Sequence, residues 1–260
     1  MDCTMALFQS YIGIDYSGAK TPTSRNRGLQ VFKATPDHEP RRVKSPEGKK
    51  WNWTRKEIGH WCLEQLKRGD PVIIGIDHGF SFPMSYMERY RIAGWDRFLE
   101  DFHRHWPTDQ DDRKVESLRK GNQRTGKNTE FRLTENWTTS TKSVFQFDVT
   151  GQVAKSTHAG IPWLRFIRRN ADPTDRPHFW PFDGFAIPPR KSVIVEIFPS
   201  LFRRRYPRRF KSPDEHDAMC VAQWLKDMDT RGHLSTYFNP PLTDKEREIA
   251  GLEGWILGVY

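Results

Sequence analysis

The chain opens on a dense apolar run. Phe8 to Asp15 (FQSYIGID) predicts a strand that breaks at Ser17-Gly18, and Leu29 to Ala34 (LQVFKA) alternates well enough to return as its hairpin partner. Arg41 to Lys44 predicts a third strand. Between Thr54 and Arg68 the period changes: Ile58, Trp61, Cys62 and Leu66 fall at helical spacing, and Gly69 is a stop. Val72 to Asp77 (VIIGID) is then apolar without a break, as expected of a strand covered on both faces.

Residues 80 to 106 are aromatic-rich and helical in spacing, whereas Thr108 to Ser143 is polar, charged and nearly without period. That contrast predicts a surface insertion or lid over residues 108–143. His158 to Arg169 resumes helical spacing, His178 to Ile187 predicts a hairpin, and Val193 to Phe198 (VIVEIF) predicts another buried strand. The helix predicted from Pro213 to Met228 has the best-marked start, since Ser212 and Glu215 fit a capping box and Pro213 stands at the first helical position. The tail from Thr243 to Tyr260 predicts a short helix and the stretch EGWILG. Strands first, then strands alternating with helices, predict an α/β domain with a mixed sheet.

Length and composition narrow this further. The 260 residues suit one elaborated domain over 1–260, and 36% apolar with 13% aromatic residues exclude a disordered chain. A formal charge of +9 predicts attraction to polyanions. No run approaches the roughly 20 apolar residues of a membrane span. The start MDCTMALFQS has an acid at position 2 and no basic region before an apolar one, so no membrane partner is expected. Cys3, Cys62 and Cys220 are an odd number without a CxxC pair, which excludes a disulfide scaffold and predicts the cytoplasm.

The candidate chemistry lies where a core should be. Asp15 and Asp77 end matching Gly-Ile-Asp phrases, and Glu196 interrupts Val-Ile-Val-Glu-Ile-Phe. A carboxylate on a buried strand costs several kcal/mol unless it pairs, protonates or binds a cation. Asp217 lies in the second turn of the 213–228 helix, beside its inward stripe. If these four converge, their repulsion calls for cations, and two Mg²⁺ or Mn²⁺ ions would balance the charge. Such a pair clamps the attacking and leaving oxygens of a phosphodiester under hydrolysis. Each acid also has a structural explanation: Asp15 and Asp77 could start turns, Glu196 could pair, and Asp214 and Glu215 suit the dipole of a helix start.

The phrases YIGIDYSG, VIIGIDHGFSFP, HAGIPWLRFIR, VIVEIFPSLF, SPDEHDAMCVAQWL and EGWILG resemble, in order and spacing, an uncharacterised family of predicted RNase H-like nucleases. The resemblance spans nearly the whole chain. It implies a ribonuclease H-like domain with a five-stranded mixed sheet between helices, akin to Holliday-junction resolvases. In that frame Asp15 matches the acid of the first strand, Asp77 that of the fourth, and Asp217 that of the C-terminal helix. Glu196 matches the family's Glu-x-x-Pro phrase. The implied activity is metal-dependent cleavage of DNA or RNA.

A basic run, Arg203, Arg204, Arg205, Arg208, Arg209 and Lys211, separates the Glu196 strand from the Asp217 helix and is a candidate nucleic-acid contact, with Tyr206 and Phe210 as stacking rings. A second candidate surface is Arg41, Arg42, Lys44, Lys49 and Lys50, followed by Trp51 and Trp53. The stretch Gly121 to Asn128 imitates a P-loop, but Asn128 replaces the Ser or Thr that would bind Mg²⁺ and no buried strand precedes it. His103 and His105 have no partners at zinc spacing, and Cys62 and Cys220 read as buried, inert thiols. Two other functions stay open: a non-catalytic nucleic-acid- or partner-binding module on the same fold, and an ATP-dependent phosphotransferase of the actin and sugar-kinase superfamily, whose first phosphate loop Asp15-Tyr-Ser-Gly18 faintly resembles.

Overall fold

In the computed structural model, which describes residues 6–138, 141–147 and 153–260, a mixed seven-stranded sheet lies between two layers of helices. The first hairpin is β1 (Ser10–Asp15) and β2 (Gln30–Ala34), with β3 (Arg41–Arg42) outside β2. Helix α1 (Arg55–Leu66) follows, started by a capping box in which Thr54 and Glu57 bond each other's backbone N–H. It delivers the chain to β4 (Val72–Asp77), parallel to β1. Then come α2 (Met84–Arg89), α3 (Trp95–His105), α4 (Val115–Arg119), α5 (Leu133–Asn136) and α6 (Val153–Asn170).

Strand β5 (His178–Trp180) is not half of a hairpin: it lies parallel to β6 (Val193–Ile197), the strand that pairs with β4. After β6 the chain forms α7 (Pro213–Thr230), α8 (Leu234–Tyr237), α9 (Asp244–Glu253) and β7 (Ile256–Leu257). The outer edge of β6 is shared, β5 pairing with Val193 to Val195 and β7 with Glu196 and Ile197. These two short strands bring the sheet from the five expected to seven.

Alternation along each strand divides the core. Ile12, Ile14, Ile74, Ile76 and Ile194 face α1, α3 and α6, while Tyr11, Ile73, Val195 and Ile197 face α7. Gly13 and Gly75 are register partners on the α7 side. A Cβ at Gly13 would collide with the Ala218 carbonyl oxygen and lie 2.7 Å from the Ala222 nitrogen, and one at Gly75 would lie 2.8 Å from Val221 Cγ1. The missing side chains let α7 lie against the sheet. Since the backbone of α7 cannot yield at Gly13, a Gly13→Ala variant is expected to lose about 1–3 kcal/mol or more by overpacking, read as a lowered urea midpoint.

The start of α7 departs from expectation. Ser212 is the N-cap but makes no side-chain capping bond, its hydroxyl lying 3.5 Å from Asp214 Oδ2, and the Glu215 side chain pairs with Arg42 at 2.5 Å instead of returning to the cap. Segment 108–143 is also more than a surface loop: Val115, Arg132, Thr134 and Glu135 are buried, and α5 packs on α9. No helix among the described residues is long and apolar enough to cross a membrane.

Candidate functional site

Asp15 and Asp77 end β1 and β4 as direct register partners. Side chains alternate along a strand, so each carboxylate lies on the same face as the glycine two residues before it, under α7. There Asp217 sits one turn before Val221, the residue that packs on Gly75. Asp214, one turn earlier, lies close enough to raise the proton affinity of Asp15. All four aspartates are half-buried. Asp214 suits a helix start by its charge alone, and its spacing of three from Asp217 also puts it on the same helix face.

Burial raises all four acids above the usual carboxylate range, Asp15 and Asp77 the most, and repulsion between carboxylates adds to it at Asp15, Asp77 and Asp214. For Asp15 burial is the largest cause, followed by the charges of Asp77, Asp214 and Asp217. Asp77 is raised by burial and then by Asp217 and Glu196, against the pull of Arg203. Asp15 and Asp77 lie close enough to bias each other's proton, which favours the protonated form of Asp15 over that of Asp77. Asp217 Oδ2 accepts from Arg203 Nη1 at 2.8 Å, while its Oδ1 is buried without a partner.

Glu196 joins this group only through its charge on Asp77 and the wall of a shared cavity. Its register partner is Ile76, not Asp77, so it lies on the opposite face of the sheet from Asp15 and Asp77. There Arg132 holds it at both oxygens, with Nη1 to Oε2 at 2.7 Å and Nη2 to Oε1 at 2.5 Å, and the Phe80 N–H donates to Oε2 at 2.9 Å. Arg132 also donates to Glu135 Oε1 at 2.9 Å. Pairing thus accounts for Glu196, and its partner comes from the segment expected to be a surface lid.

Strands β4 and β6 send the chain to opposite faces, into α2–α6 and into α7, so a crevice opens between their C-terminal ends. A cavity of about 350 Å³ occupies it, lined among others by Asp77, His78, Arg132, Ser200 and Arg203. His78 is neutral, its pKa pushed down to about 4 by burial. Its Nδ1–H donates to the Gly79 carbonyl at 2.8 Å, and its ring fills the space that Gly160 leaves.

Of the basic run, Arg203 bonds Asp217, and Arg208 acts on that carboxylate through its charge; Arg204, Arg205, Arg208, Arg209 and Lys211 are exposed around them. The two rings, both half-buried, each have a partner within the protein. Tyr206 bonds Asp227 at 2.9 Å, and Phe210 packs edge-on against Phe32 at 5.1 Å. His103 bonds Asp109, and His105 bonds the Asp101 carbonyl. Cys62 and Cys220 are buried, with burial pushing both thiols up to about 12. Cys3 lies outside the described residues.

The donor set suits a hard cation: carboxylate oxygens, one of them buried and unspent, with Arg203 as the near positive charge. As they stand, no three His, Cys, Asp or Glu side chains among the described residues close on one point as metal ligands would. The linkage is testable without activity. A raised carboxyl pKa means that the folded state holds extra protons, so stability is full below about pH 4 and is lost as pH rises through the raised values. A cation relieves the ionised cluster. At a hundredfold excess over its Kd, Mn²⁺ is expected to add about 2.7 kcal/mol, or about 5–10 °C in Tm, at pH 8 and little at pH 5. An equal shift in Asp15→Asn would remove the cluster as the site.

Comparison with protein-family models, with curated proteins and with solved structures finds no match to this chain.

Proposed function

We propose that the protein is a divalent-metal-dependent nuclease that hydrolyses phosphodiester bonds of DNA or RNA. One observation carries the reading: Asp15, Asp77 and Asp217, from three different elements, lie within electrostatic reach of one another under α7 at the C-terminal edge of the sheet, short of neutralising charge and beside an arginine-lined cavity. Support for a ribonuclease H-like frame comes from the positions of the acids, on the first strand, the fourth strand and the helix after β6.

Asp15, Asp77 and Asp217 would hold Mg²⁺ or Mn²⁺, with Asp214 as a further carboxylate, and two ions would balance these four charges. Bound ions supply Lewis-acid stabilisation of the phosphoryl oxygens and a water of lowered pKa. The chain does the rest. Arg203, half exposed beside Asp217, can pair with a phosphate oxygen at the edge of the carboxylates. The exposed arginines around it supply the salt-dependent, sequence-independent share of affinity. Asp15 and Asp77, both with raised pKa values, must lose their protons before both can act as ligands, so activity is expected to rise with pH across the range in which they ionise.

The test is cleavage of labelled single- and double-stranded DNA and RNA in Mg²⁺, Mn²⁺ or EDTA. Products only with metal support the nuclease and identify its substrate. Salt-sensitive binding without cleavage under either metal overturns it in favour of a binding module.

A further inference from the structure

The two basic clusters, some 160 residues apart in sequence, meet in space. Phe210, near the end of the 203–211 run, packs on Phe32, which is the register partner of both Gly13 in β1 and Arg42 in β3. Arg42 in turn pairs with Glu215 at 2.5 Å and donates from Nε to Gln30 Oε1 at 3.0 Å. Gln30 is the direct neighbour of Asp15 across the β1–β2 ladder. The β3 cluster therefore borders the carboxylates on one side, as the 203–211 run does on the other.

On this border stands an exposed indole. Trp51 is 45% exposed, with Lys44 Nζ 4.6 Å and Arg42 Cζ 4.9 Å from its ring centroid. Trp53, two residues on, is fully buried and spends its indole N–H on the Val43 carbonyl, so the pair divides into one anchor and one surface ring. An aromatic face beside cations, next to a polycationic run, matches the two needs of an unpaired strand: a surface on which a base stacks and charge for the flanking phosphates. Duplex phosphates need only the charge, because paired bases leave no free face for Trp51.

We infer that Trp51, with Arg42 and Lys44, is a base-stacking site for single-stranded nucleic acid, and that the strand runs from it past the carboxylates onto the 203–211 arginines. The inference rests on reading this face as a nucleic-acid site, but not on cleavage. Its test is binding of a fluorescein-labelled 12-nucleotide oligothymidylate, and of its duplex with oligoadenylate, to the full chain in EDTA. The wild type is expected to hold the single strand at least about tenfold more tightly than the duplex. Trp51→Ala should weaken single-strand binding about tenfold and leave the duplex unchanged, with Trp51→Phe restoring most of the loss. Lys44→Ala should lower the slope of log K against log salt by about 0.7.

Thermal unfolding of both Trp51 variants separates lost stacking from lost fold. Equal single-strand binding by wild type and Trp51→Ala overturns the inference, as does preference for the duplex or binding of neither. Trp51-dependent binding with no cleavage under any metal would leave it standing while the nuclease reading fell.

Discussion

Replacing Arg132 with alanine is expected to destabilise the protein by about 3–5 kcal/mol, because breaking a buried ion pair leaves its partners charged and unsolvated. Arg132 is 1% exposed, and its guanidinium holds Glu196 at both oxygens, Glu135 Oε1 and the Glu253 carbonyl. It thereby ties α5 to β6 and to the end of α9. Glu253 repeats the tie, accepting from the backbone N–H groups of Met84 and Leu133, each at 2.5 Å. Burial already pushes the Glu135 carboxyl up against the pull of Arg132, and without that guanidinium it can stay buried only by taking up a proton. The sign of the pH dependence follows: the variant's deficit is smaller at pH 5 and grows toward pH 8 as the folded state must give that proton up. Urea unfolding at both pH values measures it. Glu196→Gln should cost less, since an amide oxygen still accepts from Arg132 and from Phe80. A loss below about 1 kcal/mol in Arg132→Ala would show the network to be dispensable.

The second large effect concerns activity. Asp15→Asn and Asp217→Asn should each lower cleavage by about a thousandfold or more, the kinetic equivalent of about 4 kcal/mol of lost metal-borne charge stabilisation. Metal-free Asp15→Asn should also melt higher than wild type at pH 8, because it removes one of the mutually repelling charges under α7. Lost activity with gained stability separates a functional carboxylate from a structural one. Glu196→Gln should show the reverse, with stability lost and cleavage per folded molecule largely kept. If Glu196→Gln abolishes cleavage in a folded protein, or Asp15→Asn cleaves normally, the division of the acids by sheet face is wrong. Initial rates at matched folded fractions decide between these outcomes.

Much of the frame was legible from local pattern. The largely apolar runs of β1, β4 and β6 require cover on both faces, and the helical periods of α1 and α7 supply part of it, so the α/β class follows from periodicity. The 178–187 hairpin failed because a short apolar strand followed by a turn looks the same whether its partner is the next segment or β6. The capping box at α7 failed in that the Glu215 side chain pairs with Arg42, far away in sequence, instead of returning to the cap.

The site divides in the same way. Sequence alone determined that three buried strands each carry an acid, and that Asp15 and Asp77 share a phrase, hence a common orientation relative to their glycines. Which face each acid occupies depends on register between strands, a quantity with no local signature, since a shift of one residue exchanges the faces. Only the fold could set Ile76 opposite Glu196, turning that acid away to Arg132, and let Gly13 and Gly75 admit α7 closely enough to bring Asp214 and Asp217 to Asp15 and Asp77. Likewise the sequence held two basic clusters and an indole, and the Phe32–Phe210 and Arg42–Glu215 contacts made them one surface, because alternation and charge are written residue by residue whereas proximity is a property of the closed chain.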